Sequence, residues 1–335
     1  MLSVFSLGVE APLHSFFQGR LMSDVTIPTT RIAAIDIARG LALIAMTIYH
    51  FSWDLEFFGW SLPGTIQQTG WVLFARCIAT SFLFLVGVSL YLAHGEQIKW
   101  RSFWNRWMLV VGAAALISIV TYLAIPDDFI FFGILHAIAL FSLLGLAFLR
   151  LPWWLTIAVA AIVFVSSEPL RNNVFDAPIF WWSGLSAIQP QSNDYVPLFP
   201  WLSATLFGLG TAQLTSKFQL FAKLKGRFSG GWADRSIGFI GRHSLLYYMV
   251  HQPVMLACLW VFTNVMGPPN RTPAFLNGCQ QTCTQTSEAN FCEKFCSCTA
   301  DGLKREKLFT PFFDGEVDLA TNSKAQAVIR QCSAP

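Results

Sequence analysis

The apolar residues of this chain are grouped into long stretches, and short polar segments separate them. A helix that crosses a lipid bilayer needs about 20 consecutive apolar residues. Seven stretches approach that length: residues 33–52, 71–93, 107–125, 129–149, 152–168, 197–214 and 240–263. The pattern predicts an all-α fold, namely a polytopic membrane helix bundle with about seven transmembrane helices.

The composition agrees with a membrane protein and excludes an ordinary soluble domain. Hydrophobic residues make up 54% of the 335 residues, and charged residues only 12%, whereas soluble domains average about 25% charged residues. The basic residues are dispersed in short loops, so we expect contact with membrane lipid and no nucleic acid partner.

Lysine and arginine alternate between the predicted loops, and this alternation predicts the topology. The odd-numbered loops between the stretches carry only Arg171. Eleven basic residues lie in the N-terminal flank and the even-numbered loops: Arg20, Arg31, Lys99, Arg101, Arg106, Arg150, Lys217, Lys223, Lys225, Arg227 and Arg235. Because cytoplasmic loops carry the excess of basic residues, we expect a cytoplasmic N-terminus and an extracytoplasmic C-terminal tail in the cell (inner) membrane.

Residues 1–30 lack the charged start, apolar core and small-residue cleavage site of a signal peptide. We expect them to form a cytoplasmic leader, with Met22 as an alternative start to Met1. The transmembrane domain is then residues 31–264, and residues 265–335 form a separate tail. The sequence leaves open whether the chain forms a homo-oligomer.

The tail holds six of the eight cysteines: Cys279, Cys283, Cys292, Cys296, Cys298 and Cys332. A metal site and a disulfide framework are the two alternatives. The expected exterior location and the even count favour disulfides, and the spacing differs from that of zinc ribbons. The two Cys-x3-Cys pairs suit two short helices joined to each other, although the connectivity stays open. Cys77 and Cys258 lie in predicted spans and are expected to be buried thiols.

Charged residues occur inside the first predicted span, where lipid would not tolerate them. At about 100° per residue, Asp36, Arg39, Thr47, His50 and Asp54 fall within an arc of roughly 60–80°. A charge at bilayer depth costs on the order of 2–3 kcal/mol or more. This stripe must therefore face a polar interior, which makes it the strongest functional signal in the chain.

Further polar residues lie in the other predicted spans. They are Arg76 in the second, His136 in the fourth, and Arg242, His243, Ser244, Tyr248 and His251 in the seventh. The predicted topology divides the intramembrane polar residues into two layers. His50, Arg76, His136 and His251 belong to the outer half, and Asp36, Arg39, Arg242 and His243 belong to the cytoplasmic half.

Each of these residues also has a purely structural interpretation. An intramembrane histidine can make a hydrogen bond between packed helices. Asp36 and Arg39, three residues apart, can neutralise each other as an ion pair. Arg242 and His243 can be interfacial anchors. His50 differs from the others because it shares its helical face with three charged residues.

Four sequence motifs follow one another along the apolar part of the chain. They are Arg31-x4-Asp36-x2-Arg39-Gly40-Leu-Ala-Leu-x2-Met46-x3-His50-Phe-x-Trp53-Asp54, Gly133-Ile-Leu-His136-Ala, Pro197-Leu-Phe-Pro200-Trp201, and Gly241-Arg242-His243-Ser244-Leu followed by Tyr248-x2-His251-Gln252-Pro253. In this order the motifs resemble bacterial membrane proteins related to the catalytic domain of heparan-α-glucosaminide N-acetyltransferase. More distantly they are similar to integral-membrane acyltransferases.

The resemblance implies transfer of an acetyl group from cytoplasmic acetyl-CoA, or another acyl-CoA, to a sugar or glycan acceptor outside. In the lysosomal member of this family, the histidine implicated in transfer lies in the loop after the first helix. Loop 53–70 has no histidine here. The broader acyltransferases place a histidine within the helix instead, which favours His50.

These residues suggest a mechanism in which no metal takes part. Arg39, with Arg242 and His243, would hold the donor phosphates near Asp36. His50 would act as a general base or carry the acyl group. Asp54 would orient the His50 ring, and Arg76 and Tyr248 would stabilise the developing oxyanion.

Two other functions are compatible with the sequence. Intramembrane histidine, arginine and aspartate residues also serve proton- or solute-coupled transporters, but the chain shows no internal repeat of the kind that many transporters have. The third alternative is a receptor whose cysteine-rich tail is the active part.

Overall fold

The chain is helical throughout the part that the structure describes. The computed structural model describes residues 32–62, 64–224, 231–267, 269–313 and 315–333. Within these ranges it contains no named strand and a single isolated bridge, between Phe132 and Tyr195. The all-α prediction is confirmed, and the leader predicted at residues 1–30 lies outside the described ranges.

Thirteen α-helices occur within these ranges. Those up to the tail are α1 (Ala33–Phe57), α2 (Thr69–His94), α3 (Trp100–Ala124), α4 (Ile134–Gly145), α5 (Trp153–Ser166), α6 (Leu198–Lys217), α7 (Leu220–Leu224), α8 (Trp232–Arg242) and α9 (Ser244–Met266). The tail contains α10 (Thr272–Cys283), α11 (Ala289–Arg305), α12 (Phe309–Phe313) and α13 (Ser323–Ser333).

Helices α1, α2, α3 and α9 are long and apolar enough to cross a membrane, by length and composition. Helices α4, with the turn that follows it, and α5 are apolar but shorter. Each of the seven predicted stretches corresponds to one of the helices α1 to α6 and α9, which makes the chain a multi-pass membrane protein.

Several boundaries differ from the sequence prediction. Helix α1 continues to Phe57, so that Asp54 lies inside it, and α3 begins at Trp100. The seventh stretch is divided, since α8 ends at Arg242 and α9 begins at Ser244. The division follows from composition: α8 is amphipathic and packs on α1, whereas α9 is apolar.

Contacts at the two ends of α1 and α2 give their relative direction. At one end of the α1–α2 pair, Arg39 contacts Ser89. At the other end, the rings of Tyr49 and Trp71 lie 6.3 Å apart. The two helices are therefore antiparallel.

Helices α2 and α6 approach each other at two glycines. A Cβ atom on Gly87 would collide with the backbone of Thr205, and one on Gly208 would collide with the backbone of Phe84. Small residues at a helix crossing allow this close approach, which is a frequent device in membrane bundles. Leu83, on α2, is fully buried beside the crossing.

Helix α8 also packs closely against the first half of α1 at glycine residues. A Cβ atom on Gly40 would meet the backbone of Ile237, and one on Gly241 would meet the carbonyl of Asp36. The end of α8 is thereby fixed at the level of the Asp36–Arg39 segment.

The tail forms a small helical unit with its own core and three disulfides. Its buried core residues are Phe275, Ala300, Leu303, Ala325 and Val328. The disulfides are Cys279–Cys296, Cys283–Cys292 and Cys298–Cys332. The prediction of disulfides is confirmed, and the first two join α10 to α11. Within the described ranges, no cluster of three or more His, Cys, Asp or Glu residues could hold a metal ion.

The remaining cysteines correct one prediction. Cys77 and Cys258 are free, but both are exposed on the surface of the bundle rather than buried.

The tail begins against the C-terminal ends of α1 and α9. The indole Nε1 of Trp60, after α1, donates to Thr263 Oγ1 on α9 at 3.0 Å. The guanidinium of Arg271 lies against Gly59 and 5.5 Å from the centre of the Phe313 ring. Arg271 thus connects the α1–α2 loop to the core of the tail.

Candidate functional site

The polar stripe of α1 faces other helices rather than the outside of the bundle. Asp36 is 7% exposed and Asp54 is fully buried. Asp36 and Arg39 lie beside α2 and α8, whereas Thr47, His50 and Asp54 face α9. The stripe therefore contributes to two polar clusters at different heights along α1.

Two histidines meet in the cluster between α1 and α9. The rings of His50 and His251 have centres 5.2 Å apart and lie edge to face. The Tyr247 ring stacks parallel to the His251 ring at 6.0 Å, and the Tyr248 ring lies 5.6 Å from it. His50 makes no hydrogen bond to any residue that the structure describes.

Hydrogen bonds above and below the histidines fix the register of α1 and α9. The hydroxyls of Thr47 and Tyr247 lie 2.8 Å apart, and Gln252 Nε2 donates to Asp54 Oδ1 at 2.5 Å. The sequence suggests that Asp54 orients the His50 ring, but the structure gives the carboxylate a different partner. Asp54 instead connects α1 to the residue that follows His251.

The proton positions around His251 follow from its contacts. Its Nδ1 lies 2.7 Å from the Tyr248 carbonyl oxygen, which can only accept, so Nδ1 carries the hydrogen. In the neutral ring, Nε2 then presents a lone pair. This Nε2 atom, Asp54 Oδ2 and Gln252 Oε1 are buried without a hydrogen-bond partner among the described residues. These acceptors would bind a molecule that carries hydroxyl or amine donors.

The second cluster contains an ion pair that is also bonded to α2. Arg39 Nη1 lies 3.1 Å from Asp36 Oδ1, and Arg39 also donates to the Ser89 hydroxyl. The structure therefore contains the Asp36–Arg39 ion pair of the purely structural interpretation. Its bond to α2 places the guanidinium between α1 and α2.

Arg242 and His243 lie at the level of this ion pair but point outwards. Both side chains are exposed. The Arg242 guanidinium lies 5.9 Å from the centre of the Phe239 ring, and His243 Nδ1 lies 3.0 Å from the Phe239 carbonyl oxygen. Ser244 begins α9 and is half-buried.

Arg76 lies on the wrong side of α2 to reach His50. Phe74 and Ile78 pack on α1, and a residue midway between them projects about 160–200° away from that face. Arg76 is accordingly exposed. The structure brings Tyr248 to the histidine pair but not Arg76.

His136 has both ring nitrogens occupied by structural hydrogen bonds. Its Nδ1 accepts from the Gly133 backbone N–H at 3.2 Å, at the start of α4. Its Nε2 lies 3.2 Å from Ser118 Oγ, and that hydroxyl donates to the Ile130 carbonyl at 2.6 Å. Nε2 therefore carries the hydrogen and donates to the serine, so His136 connects α3 to α4.

Asp194 is a site residue that sequence analysis missed. Its Oδ2 accepts from the Ile134 backbone N–H at 2.8 Å, which caps α4. It lies within electrostatic range of Tyr49 and Tyr248. Burial raises the pKa of the Asp194 carboxyl to about 6, although the bond from Ile134 opposes this shift. The one feature of the sequence that could have identified Asp194 is its position just before the Pro197-Leu-Phe-Pro200-Trp201 motif.

Comparison with known proteins identifies the family of this bundle. The sequence pattern of the family described as heparan-alpha-glucosaminide N-acetyltransferase, catalytic, matches residues 31–253. No curated protein and no solved structure matches the chain. The matched segment contains both polar clusters and ends within α9. The family match does not favour the transporter alternative. The chain belongs to the heparan-alpha-glucosaminide N-acetyltransferase catalytic family.

Proposed function

We propose that this protein transfers an acyl group, normally acetyl, from cytoplasmic acyl-CoA to a sugar or cell-envelope glycan outside the membrane. The observation that carries the proposal is that one helix, α1, contributes to both polar clusters. Arg39 and His50 are separated by about 17 Å along this helix, at 1.5 Å per residue. A long, flexible donor bound by its anionic end near Arg39 would deliver its acyl group near His50.

The orientation is part of the proposal. The basic loops predict that the Arg39 end of α1 faces the cytoplasm, where acyl-CoA occurs. Three disulfides in the tail fit an oxidising exterior. The His50 end would then face the side on which the acceptor is found.

His50 is the proposed general base. It takes the proton from an acceptor hydroxyl or amine, whose oxygen or nitrogen attacks the thioester carbonyl carbon. The carbon–sulfur bond then breaks, and the departing CoA thiolate receives the proton from His50. The acyl group remains on the acceptor, so atoms and charge balance without a metal or a redox partner.

The other residues of the cluster between α1 and α9 have supporting roles. The Tyr248 hydroxyl would donate to the oxyanion that forms on the thioester carbonyl. The unpaired acceptor atoms of His251, Asp54 and Gln252 would bind donor groups of a sugar. Exposed aromatic rings after α1 and before α6, such as those of Phe57 and Trp182, offer surfaces on which a sugar can stack.

Binding and turnover test the proposal separately. Purified protein in detergent should bind acetyl-CoA, as measured by calorimetry, and release CoA when a mixture of amino sugars is added. His50→Ala should retain binding and lose CoA release, whereas Arg39→Ala should weaken binding. Cys77→Ser, on the exposed surface, is the matched control for both. Folded protein that binds no acyl-CoA would refute the enzyme function.

A further inference from the structure

The segment that leads into α6 carries Asp194 in a fixed position. The backbone N–H groups of Asn193 and Val196, on either side of it, donate to carbonyl oxygens of the loop between α3 and α4 at 3.1 and 3.0 Å. The Asp194 carboxylate reaches the first turn of α4, where its Oδ2 accepts from the Ile134 N–H at 2.8 Å. Gly133 makes room for this contact, because a Cβ atom there would lie 2.4 Å from Oδ2.

Capping α4 uses only one of the two carboxylate oxygens. Oδ1 makes no hydrogen bond, and Asp194 forms no ion pair, with any residue that the structure describes. Serine and asparagine cap helices as well as aspartate does, so the cap does not require a charge. An enclosed carboxylate is costly unless donors or cations compensate it. Oδ1 is therefore an acceptor that a bound molecule with a hydroxyl or amine group would satisfy.

Asp194 lies beside the cluster between α1 and α9. The Ile134 side chain, in the turn that Asp194 caps, belongs to a buried apolar group against which the Tyr248 ring packs. Asp194 also lies within electrostatic range of Tyr248 and of Tyr49, the residue before His50. The segment before α6 therefore forms a third side of this cluster.

His50, Tyr248 and Asp194 have the surroundings of side chains that line a recess. Each of the three is deeply surrounded by protein atoms, and each still has accessible surface. In a close-packed core such side chains would have almost none. An imidazole from α1, a hydroxyl from α9 and a carboxylate from the segment before α6 thus converge, as polar groups do in small-molecule sites.

We propose that Asp194 is a specificity-determining residue of the transfer site, which selects the acceptor group that His50 deprotonates. Its Oδ1 accepts a hydrogen bond from a second hydroxyl or amine of the same acceptor. A sugar carries several similar nucleophiles, and contacts from two sides hold one of them at the base. Asp194 supplies one side, and the buried acceptor atoms of His251 and Asp54 supply the other. The inference rests on the proposed function and identifies what decides its product.

Asp194→Asn tests this selection directly. The amide oxygen can still cap α4, and the amide nitrogen, which is a donor, then replaces Oδ1. In the CoA-release assay, the apparent KM for the amino-sugar mixture should rise by about tenfold or more, as expected for the loss of a hydrogen bond to a charged group. The KM for acetyl-CoA should stay unchanged. The ratio of N-acetylated to O-acetylated sugar, measured by NMR, should change, which a purely structural defect would not cause.

Asp176→Asn is the matched control for the loss of charge. Asp176 lies in the same loop between α5 and α6, but its Oδ1 accepts from the Ser186 hydroxyl at 2.7 Å and from the Ala187 N–H at 2.9 Å. These bonds stay within the loop. The control should therefore keep both KM values and the product ratio of the wild type.

Gly133→Ala displaces the carboxylate without altering it. The added Cβ atom would lie 2.4 Å from Asp194 Oδ2, so the side chain must move. The acceptor KM should rise and the product ratio should change in the same direction as in Asp194→Asn. Gly70→Ala on α2, where a Cβ atom meets nothing within 4 Å, is the steric control and should match the wild type.

The outcomes separate this role from the proposed function. An unchanged acceptor KM and product ratio in both Asp194→Asn and Gly133→Ala would overturn the selection, while continued CoA release would leave the proposed function intact. A fall in kcat alone, equal for all products, would make Asp194 a cap of α4 only and would also overturn the selection. Folded wild-type protein that releases no CoA with any amino sugar would refute the proposed function, and the selection with it.

Discussion

Gln252 donates its side-chain amide to the Asp54 carboxylate across the α1–α9 interface at 2.5 Å. The carboxylate is fully buried, and its second oxygen has no partner among the described residues. Burial of a charge is costly unless it is compensated. The pair lies directly beside His251, where the proposed function places the acceptor.

The Asp54–Gln252 pair predicts unequal effects of substitution. Gln252→Leu leaves the buried carboxylate without its donor and should lower the free energy of unfolding by on the order of 1–3 kcal/mol. Asp54→Asn should be milder, because its amide can pair with Gln252 Oε1. Thermal unfolding in detergent measures both. A Gln252→Leu variant as stable as the wild type would refute the pair's contribution.

The two intramembrane histidines, His50 and His136, should behave in opposite ways. His136→Leu removes two hydrogen bonds at the start of α4 and should cost on the order of 1–3 kcal/mol of stability, with acyl-CoA binding retained at low temperature. His50→Leu removes no hydrogen bond to a described residue and should leave the unfolding temperature nearly unchanged, while CoA release is lost.

The contrast between these histidines needs both measurements on each variant. Loss of stability in His50→Leu, or loss of turnover in a stable His136→Leu protein, would reverse the assignment. Assaying both proteins well below their unfolding temperatures separates the two effects.

The lengths of the apolar stretches and the placement of charge were sufficient to predict most of the fold. Lipid imposes strong constraints on length and on loop charge, and these constraints are local in sequence. The stripe on α1 was predictable for the same reason, because a charged face within lipid requires a polar neighbour. The cysteine spacing likewise predicted two helices joined by disulfides.

Contacts between distant segments could not be predicted in the same way. Arg76 looked like a site residue because it lies inside a span, yet helix rotation places it on the face away from α1. Asp194 lies in a loop, where a carboxylate is unremarkable until its proximity to Tyr248 is known. The partner of Asp54 depends on the register of α1 against α9, which hydrophobic periodicity does not specify.

Asp194 predicts a pH dependence of stability. Burial raises the pKa of its carboxyl from 3.8 to about 6 in the folded protein. Since the folded state holds the proton more tightly, this group's contribution is full below about pH 4 and is lost as the pH rises through about 6. Asp194→Asn cannot ionise but can still accept from Ile134, so its stability should fall less over this window.

The measurement for Asp194 is a difference between two unfolding curves. Tyr49 and Tyr248, the groups within its electrostatic range, do not titrate between pH 4 and 7. Urea unfolding of the wild type and of Asp194→Asn at several pH values in this window isolates the aspartate. Parallel pH profiles would show that its ionisation is not coupled to folding.

The α2–α6 crossing predicts a steric limit at Gly208. Gly208→Leu places a side chain against the Phe84 backbone and should destabilise the bundle by about 1–3 kcal/mol or more. Gly112→Leu on α3 is the matched control, because a Cβ atom there meets nothing within 4 Å. The control should be neutral or slightly stabilising, since leucine favours the helix. Equal unfolding temperatures for the two variants would contradict the close crossing.

The disulfides and the two free cysteines predict both thiol content and topology. Denatured, unreduced protein should react with maleimide at two cysteines, Cys77 and Cys258, whereas reduced protein should react at all eight.

In a Cys77→Ser, Cys258→Ser background, an impermeant reductant followed by an impermeant maleimide should label the tail in intact spheroplasts. A cysteine at position 101, on the predicted cytoplasmic side, should react only after permeabilisation. Labelling at position 101 in intact spheroplasts, with a protected tail, would show the opposite orientation. His50 would then lie on the donor side of the membrane, where the proposed transfer could not deliver an acyl group to an outer glycan.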